Sequence, residues 1–247
     1  MKHSPRPRAL PHAPILRHRL KRVTETAFDS LRDFINALPT ARNEGQEAGI
    51  DEVIAAARRD AEEYGLHAPD HLTGMVLSTL TASGNTEKST GAIALTPALA
   101  VVGLYLLRGM PHQGTVTCID PEAEHQRQAK EAFRAAGFAP ARGRFLPSRP
   151  LDVLSRMAPT SYQLVYAEVD PVDLRAVIDA AWPLLVPGGT LVLADALLDA
   201  TVGDASRKDQ ATVAARAAQA HLDSLGDRAL VAHLPFGAGM TLVTRLS

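Results

Sequence analysis

An α/β fold, with a parallel sheet covered by helices and finished by an antiparallel hairpin, is what this chain of 247 residues predicts. Three observations predict it. After Gly84, short apolar runs suited to strands alternate with longer helical patterns. The strand candidates are apolar at nearly every position, as in "TLVLAD" (190–195), which demands helical cover on both faces. The closing stretch "RALVAHLPFGAGMTLVTRL" reads as two strands around a Gly-containing turn, hence a hairpin.

Residues 1–23 carry Pro5, Pro7, Pro11 and Pro14 and read as a flexible basic arm. An N-terminal helical region is expected over 24–84. Its first helix, Thr24 to Leu38, has Ala27, Phe28, Leu31, Phe34, Ile35 and Leu38 on one stripe and stops before Pro39. A polar linker, "TARNEGQEAG", separates it from a second helix at Asp51–Tyr64, closed by Gly65. A third, Pro69–Ala82, places Leu72, Val76, Leu77 and Leu80 on one face. The α/β domain then fills 85–247. Strands are expected at Ala92–Leu95, Thr115–Asp120, Gly143–Leu146, Gln163–Ala167 and Thr190–Asp195. Between them lie helices at Pro97–Arg108, Glu122–Ala136, Leu151–Met157 and Pro171–Leu185, with a further helix at Ser206–Leu225 before the hairpin.

Net charge is −1, but unevenly spread. The arm holds seven Lys or Arg and no acid; the remainder has 19 basic against 27 acidic side chains, a balance of −8. The body therefore shows no bias toward polyanions. The arm's charge suits a nucleic acid or an anionic membrane, yet its composition equally describes an unstructured tail. Neither nucleic acid nor membrane is the expected partner. The most apolar stretch, Ile93 to Leu107, contains Thr96 and Pro97 and falls short of the ~20 residues a spanning helix needs. No apolar run typical of a secretion signal follows the basic start. The lone Cys118 excludes an intramolecular disulfide, and the expected location is the cytoplasm.

From about residue 48 onward the chain resembles the small O-methyltransferases related to the catechol and caffeoyl-CoA enzymes, especially their actinobacterial branch. The resemblance is carried by "GLYLLRGM", "GTVTCIDPEAEHQRQAKEAFRAAG", "RPLDVLSRM", "AWPLLVPGGTLVLADALLD" and "LPFGAGMTLVT", in the family's order and spacing. It implies a Rossmann-like methyltransferase sheet, S-adenosyl-L-methionine (SAM) as cofactor, and methyl transfer to a hydroxyl of a small molecule. In many members it also implies a divalent cation such as Mg²⁺, and a homodimer.

By that resemblance Asp120, closing the second strand beside Pro121, is the ribose ligand; an acid there serves nucleotide folds generally. Ser148, Arg149 and Pro150 follow the third strand, where the family runs along the adenine. The family carries an acid at the end of the first strand and a Gly-x-Gly-x-Gly run after it. Here Ala94 and "TPALA" stand instead. Thr96 is a good helix N-cap and Pro97 suits the first helical position. This loop, with Leu95 beside it, is expected to hold the cofactor's carboxylate through Thr96 and the outward backbone N–H groups of Ala98 and Leu99, with Ala98 or Leu99 shaping the wall.

Metal-dependent relatives use an acid after the fourth strand, an Asp-Asn pair after the fifth and a nearby lysine. In this chain Glu168 and Asp195 remain, Ala196 replaces the asparagine and Pro171 the lysine. The resemblance thus leaves Glu168 and Asp195 as metal ligands, with Glu168 also near the cofactor, and Glu168, Asp170 or Asp173 as the base. His125 reads as a surface residue, Cys118 and Trp182 as packing, and His221 and His233 lack a partner at zinc spacing. Two rivals stay open. One is a methyltransferase-fold binding protein without activity, which the replaced loop, Pro171 and Ala196 favour. The other is a nicotinamide-linked dehydrogenase, which lacks its G-x-G-x-x-G here.

Overall fold

The structure, a computed structural model, describes residues 27–38, 47–84 and 91–247. The basic arm lies outside these residues. The chain divides into two units, Met1–Ala41 and Arg42–Ser247. In the first, a helix α1 spans 27–36.

In the second unit, α2 (Glu47–Glu63) and α3 (His71–Ser83) precede the sheet. Then follow β1 (Gly91–Leu95), α4 (Leu99–Gly109), β2 (Thr115–Ile119), α5 (Ala123–Ala135) and β3 (Gly143–Leu146). A one-turn α6 (Pro150–Val153), β4 (Tyr162–Ala167), α7 (Leu174–Ala181), β5 (Leu185–Leu193) and α8 (Gln210–Asp223) lead to the hairpin β6 (Ala229–Leu234) and β7 (Met240–Arg245). The seven strands run in the order β3-β2-β1-β4-β5-β7-β6. All neighbours pair in parallel until β7, which is antiparallel to both β5 and β6.

Alternation along the central strands builds two cores. Ala92 and Ala94 of β1, Leu164 and Tyr166 of β4, and Val192 of β5 face α2–α5. Ile93 and Leu95, Val165 and Ala167, and Leu191 and Leu193 face α7 and α8. Successive side chains point to opposite faces, so strands covered twice must be apolar throughout. Each fully buried Leu or Ile contributes roughly 1.5–3 kcal/mol.

Some expectations change in detail. The α2 helix begins at Glu47, inside the expected linker. The helix expected at 171–185 is α only over Leu174–Ala181, with 3-10 turns at either end where Pro171 and Pro183 withhold an N–H. Of the expected Leu72, Val76, Leu77 and Leu80 face, Leu77 is fully buried and Leu80 packs partly against the core, while the rest of the buried face is Thr73, Gly74, Ser78 and Thr81. Small residues there let α3 lie close on α4. The Ser78 hydroxyl donates to Tyr105 O at 2.7 Å and that of Thr81 to Leu106 O at 3.2 Å, so the buried hydroxyls remain satisfied.

Candidate active site

In an open parallel sheet, ligands bind beyond the carboxyl ends of the strands, where connections leave in opposite directions. Here that switch lies between β1 and β4. A cleft of about 460 Å³ opens there, lined by Leu95, Thr96, Ile119, Asp120, Arg149, Pro150, Glu168 and Asp170 among others. Leu95, Ile119, Val169 and Val177 give it an apolar floor. Five carboxylates (Asp120, Asp152, Glu168, Asp170, Asp173) face one guanidinium, Arg149, around it. The field inside favours a cation.

Asp120 follows β2 directly and is almost buried. Both hydrogen bonds of its carboxylate fall on Oδ1, one from the Glu122 backbone N–H at 2.9 Å and one with His125 Nδ1 at 2.8 Å. Oδ2 has no partner among the described residues. His125 is therefore not a plain surface side chain: it fixes the carboxylate's orientation. Beneath it, the buried Gln126 amide donates to Asp120 O at 3.0 Å and Leu146 O at 3.2 Å, joining the ends of β2 and β3.

The glycine-free loop differs from expectation. The helix starts at Leu99, with Ala98 as N-cap and no side-chain capping bond. The Thr96 hydroxyl accepts from the Ala98 N–H at 3.0 Å and donates to Glu168 Oε2 at 2.7 Å. Neither the Thr96 hydroxyl nor the Ala98 N–H is thus available to a cofactor carboxylate. The hydroxyl's proton goes to the Glu168 carboxylate and its lone pair takes the Ala98 N–H, so both its donor and its acceptor capacity are used within the protein. Ala98 instead lines a second cavity of about 390 Å³, between α2 and α5. No residue from Thr96 to Ala100 has a positive φ, so this path of the backbone does not call for glycine. Leu99 is wholly in the core and does not plug the cleft.

Glu168, just past β4, is half-buried. Burial raises its carboxyl pKa above the ordinary value, while the Thr96 hydrogen bond and the charge of His67 oppose the rise. Asp195, just past β5, sits at φ 53°, a left-handed conformation unusual for a residue with a side chain. The hairpin holds it there: the Ala238 N–H donates to Asp195 Oδ1 at 2.6 Å. Gly237, at φ 57°, leaves room for that oxygen, since a Cβ at this position would collide with it. The remaining oxygens of the two acids meet one imidazole. His67 Nδ1 lies 3.1 Å from Asp195 Oδ2 and 3.6 Å from Glu168 Oε1.

Of the residues expected at the site, Leu95, Thr96, Asp120, Arg149, Pro150, Glu168, Asp170 and Asp173 line the cleft. Pro121, Ser148 and Ala98 do not. Asp195 does not line the cleft either, and is linked to it through His67, which also contacts Glu168. Asp170 is exposed, and its Oδ1 caps the following turn through the Val172 N–H. His67 was missed by sequence reasoning. It is a solitary histidine in the loop between α2 and α3, and no local spacing signals it. His221 and His233 each have a neighbour, Asp179 and the Thr241 hydroxyl, away from the cleft.

No protein-family model matches the chain. A Mycolicibacterium vanbaalenii protein classed as an O-methyltransferase is 37% identical over 219 residues, 84% of this chain and 94% of that one. A Mycobacterium avium protein of the same class is 39% identical over 205 residues, 81% and 89% of the two chains. The chain belongs to the O-methyltransferase family. A crystal structure of a Corynebacterium glutamicum protein shares 54% identity with this O-methyltransferase, at a TM-score of 0.83 over 90% of this chain and 98% of that one. The O-methyltransferase TomG of Streptomyces achromogenes, solved with SAM, shares the fold at 19% identity and a TM-score of 0.73 over 88% and 96%. These two solved proteins thus share the overall fold of this chain.

Proposed function

We propose that this O-methyltransferase uses SAM to methylate a hydroxyl of a small molecule. The observation that carries the reading is the acid-lined cleft at the β1–β4 switch, with Asp120 held so that Oδ2 faces no protein donor. SAM, when bound, supplies a methyl group on a sulfonium, open to in-line displacement by an oxygen. In this reading Asp120 Oδ2 accepts from a ribose hydroxyl and Arg149 and Pro150 flank the adenine, supported by all three lining the cleft. The surplus of carboxylates favours the cationic cofactor over its neutral product. Glu168 is our choice of base for the substrate hydroxyl: its raised pKa makes it a better proton acceptor than an ordinary glutamate. Asp170, at the open rim, is the second candidate.

The donor set around Glu168 and Asp195 also fits a divalent cation. Glu168 and Asp195 each have one oxygen tethered by the protein and one left to converge, and Gly237 keeps the space clear. Mg²⁺ on these two acids, with waters, would help a substrate hydroxyl lose its proton. Among the described residues no helix is long and apolar enough to cross a membrane. A cytoplasmic homodimer completes the reading.

Calorimetry of the purified protein with SAM and with S-adenosylhomocysteine tests it, followed by methyl transfer to a panel of phenols and other alcohols. Binding of both and transfer to oxygen are expected. No binding at millimolar ligand would remove the reading.

A further inference from the structure

We propose that His67 is the third ligand of a metal centre formed with Glu168 and Asp195, and that its nitrogen makes the centre prefer Mn²⁺, Co²⁺ or Zn²⁺ to Mg²⁺. The inference rests on the reading that methyl transfer occurs beside Glu168, the one of the three ligands that lines the cleft. It adds a ligand that lies outside the sheet, on the loop joining α2 to α3, and a different class of ion.

The spacing fits. Two ligands bound at ~2.1 Å and separated by a right or tetrahedral angle lie about 3.0–3.4 Å apart. The imidazole-to-carboxylate distances are 3.1 Å and 3.6 Å. One ligand atom from each of the three residues falls within 4.8 Å of the others. Small shifts therefore close the shell.

The surroundings fit as well. The Thr96 hydroxyl holds Glu168 Oε2 and the Ala238 N–H holds Asp195 Oδ1, so outer partners orient the ligands. The imidazole is largely exposed at 64%, which leaves the outer side of the centre open for water or a substrate oxygen.

Chemistry sets the choice of ion. Mg²⁺ prefers an all-oxygen shell, while imidazole beside carboxylates suits later first-row metals. Ala196 offers no oxygen where the family has an asparagine. His67, on the α2–α3 loop, supplies a third donor atom instead, a nitrogen. The rival explanation is that His67, protonated, is itself the cation that the two acids need.

The test uses chelator-stripped full-length protein titrated with Co²⁺, read by its visible ligand-field bands, and with Mn²⁺, read by electron paramagnetic resonance. Mg²⁺ serves as competitor. Wild type is expected to bind both ions at least about tenfold more tightly than Mg²⁺. His67→Ala should lose on the order of 100-fold in Co²⁺ affinity while Mg²⁺ affinity barely moves, with an unchanged melting temperature to show that it folds. Unaltered Co²⁺ affinity in His67→Ala overturns the proposal, as does a wild-type preference for Mg²⁺. S-Adenosylhomocysteine calorimetry on the same samples separates the two readings. Cofactor binding without any metal binding sinks the centre and leaves the methyltransferase intact. Metal binding lost in His67→Ala, without cofactor binding in wild type, does the reverse.

Discussion

Thr96 and Glu168, at the ends of neighbouring parallel strands β1 and β4, are joined by a 2.7 Å hydrogen bond from hydroxyl to carboxylate. The bond ties the loop that replaces the family's glycines to the acid expected to do the chemistry. Thr96→Val should strand the buried Ala98 N–H and release Glu168. A stability loss of about 1–3 kcal/mol in urea unfolding is expected, with a larger fall in turnover than Thr96→Ser causes. Equal turnover for the valine and serine variants would count against the link.

Asp120→Ala removes a charged acceptor from the cleft. Hydrogen bonds to charged groups contribute ~1.5–3 kcal/mol, so cofactor affinity should drop at least about tenfold by calorimetry. His125→Phe, which only frees the carboxylate's rotation, should weaken binding less. A larger loss for His125→Phe than for Asp120→Ala would refute the assignment of roles.

Gly237→Ala puts a methyl group against Asp195 Oδ1 and forces a side chain into the left-handed region. The backbone cost is about 1–2 kcal/mol, a modest shift on thermal melting. Turnover should fall further, on the order of 100-fold, because a displaced Asp195 disturbs the site. Stability and turnover falling in step would indicate that the hairpin serves folding alone.

His71 is half-buried against the Tyr105 hydroxyl, and burial lowers its pKa below 6.5. The unfolded chain then binds its proton more readily than the native one. Its contribution to stability is whole above pH 6.5 and is lost as pH falls below that value. Urea midpoints of His71→Gln should depend less on pH across that range than those of wild type; identical slopes would contradict the account.

Cys118 lies fully inside β2, and burial pushes its thiol pKa far up. A thiol reagent should leave the native protein unlabelled and modify one site only after denaturant is added. Rapid native labelling would show that β2 opens.

Much of the fold was legible because it repeats locally. Ile93 and Leu95 alternating with Ala92 and Ala94, and the fully apolar "TLVL", announce a strand covered on two faces. The Gly-containing turn of "LPFGAGM" announces the hairpin. Asp120 was legible from its place at a strand end. The face of α3 was not, because Thr73, Ser78 and Thr81 look solvent-facing until α4 supplies their carbonyl acceptors. Nor was Thr96: its hydroxyl suits a helix cap in isolation, and only the neighbouring strand brings Glu168 within reach.

The order of elements, the doubly covered sheet and the acids at its strand ends were thus determined by the chain alone, since periodicity and turn chemistry act between residues close in sequence. Tertiary structure alone decided that His67 meets Glu168 and Asp195, that Ala238 steadies Asp195, and that the Thr96 hydroxyl is spent on Glu168 and the Ala98 N–H. Those contacts join residues far apart along the chain. Their partners are selected by packing and by the need to satisfy buried charge, and no local pattern encodes that.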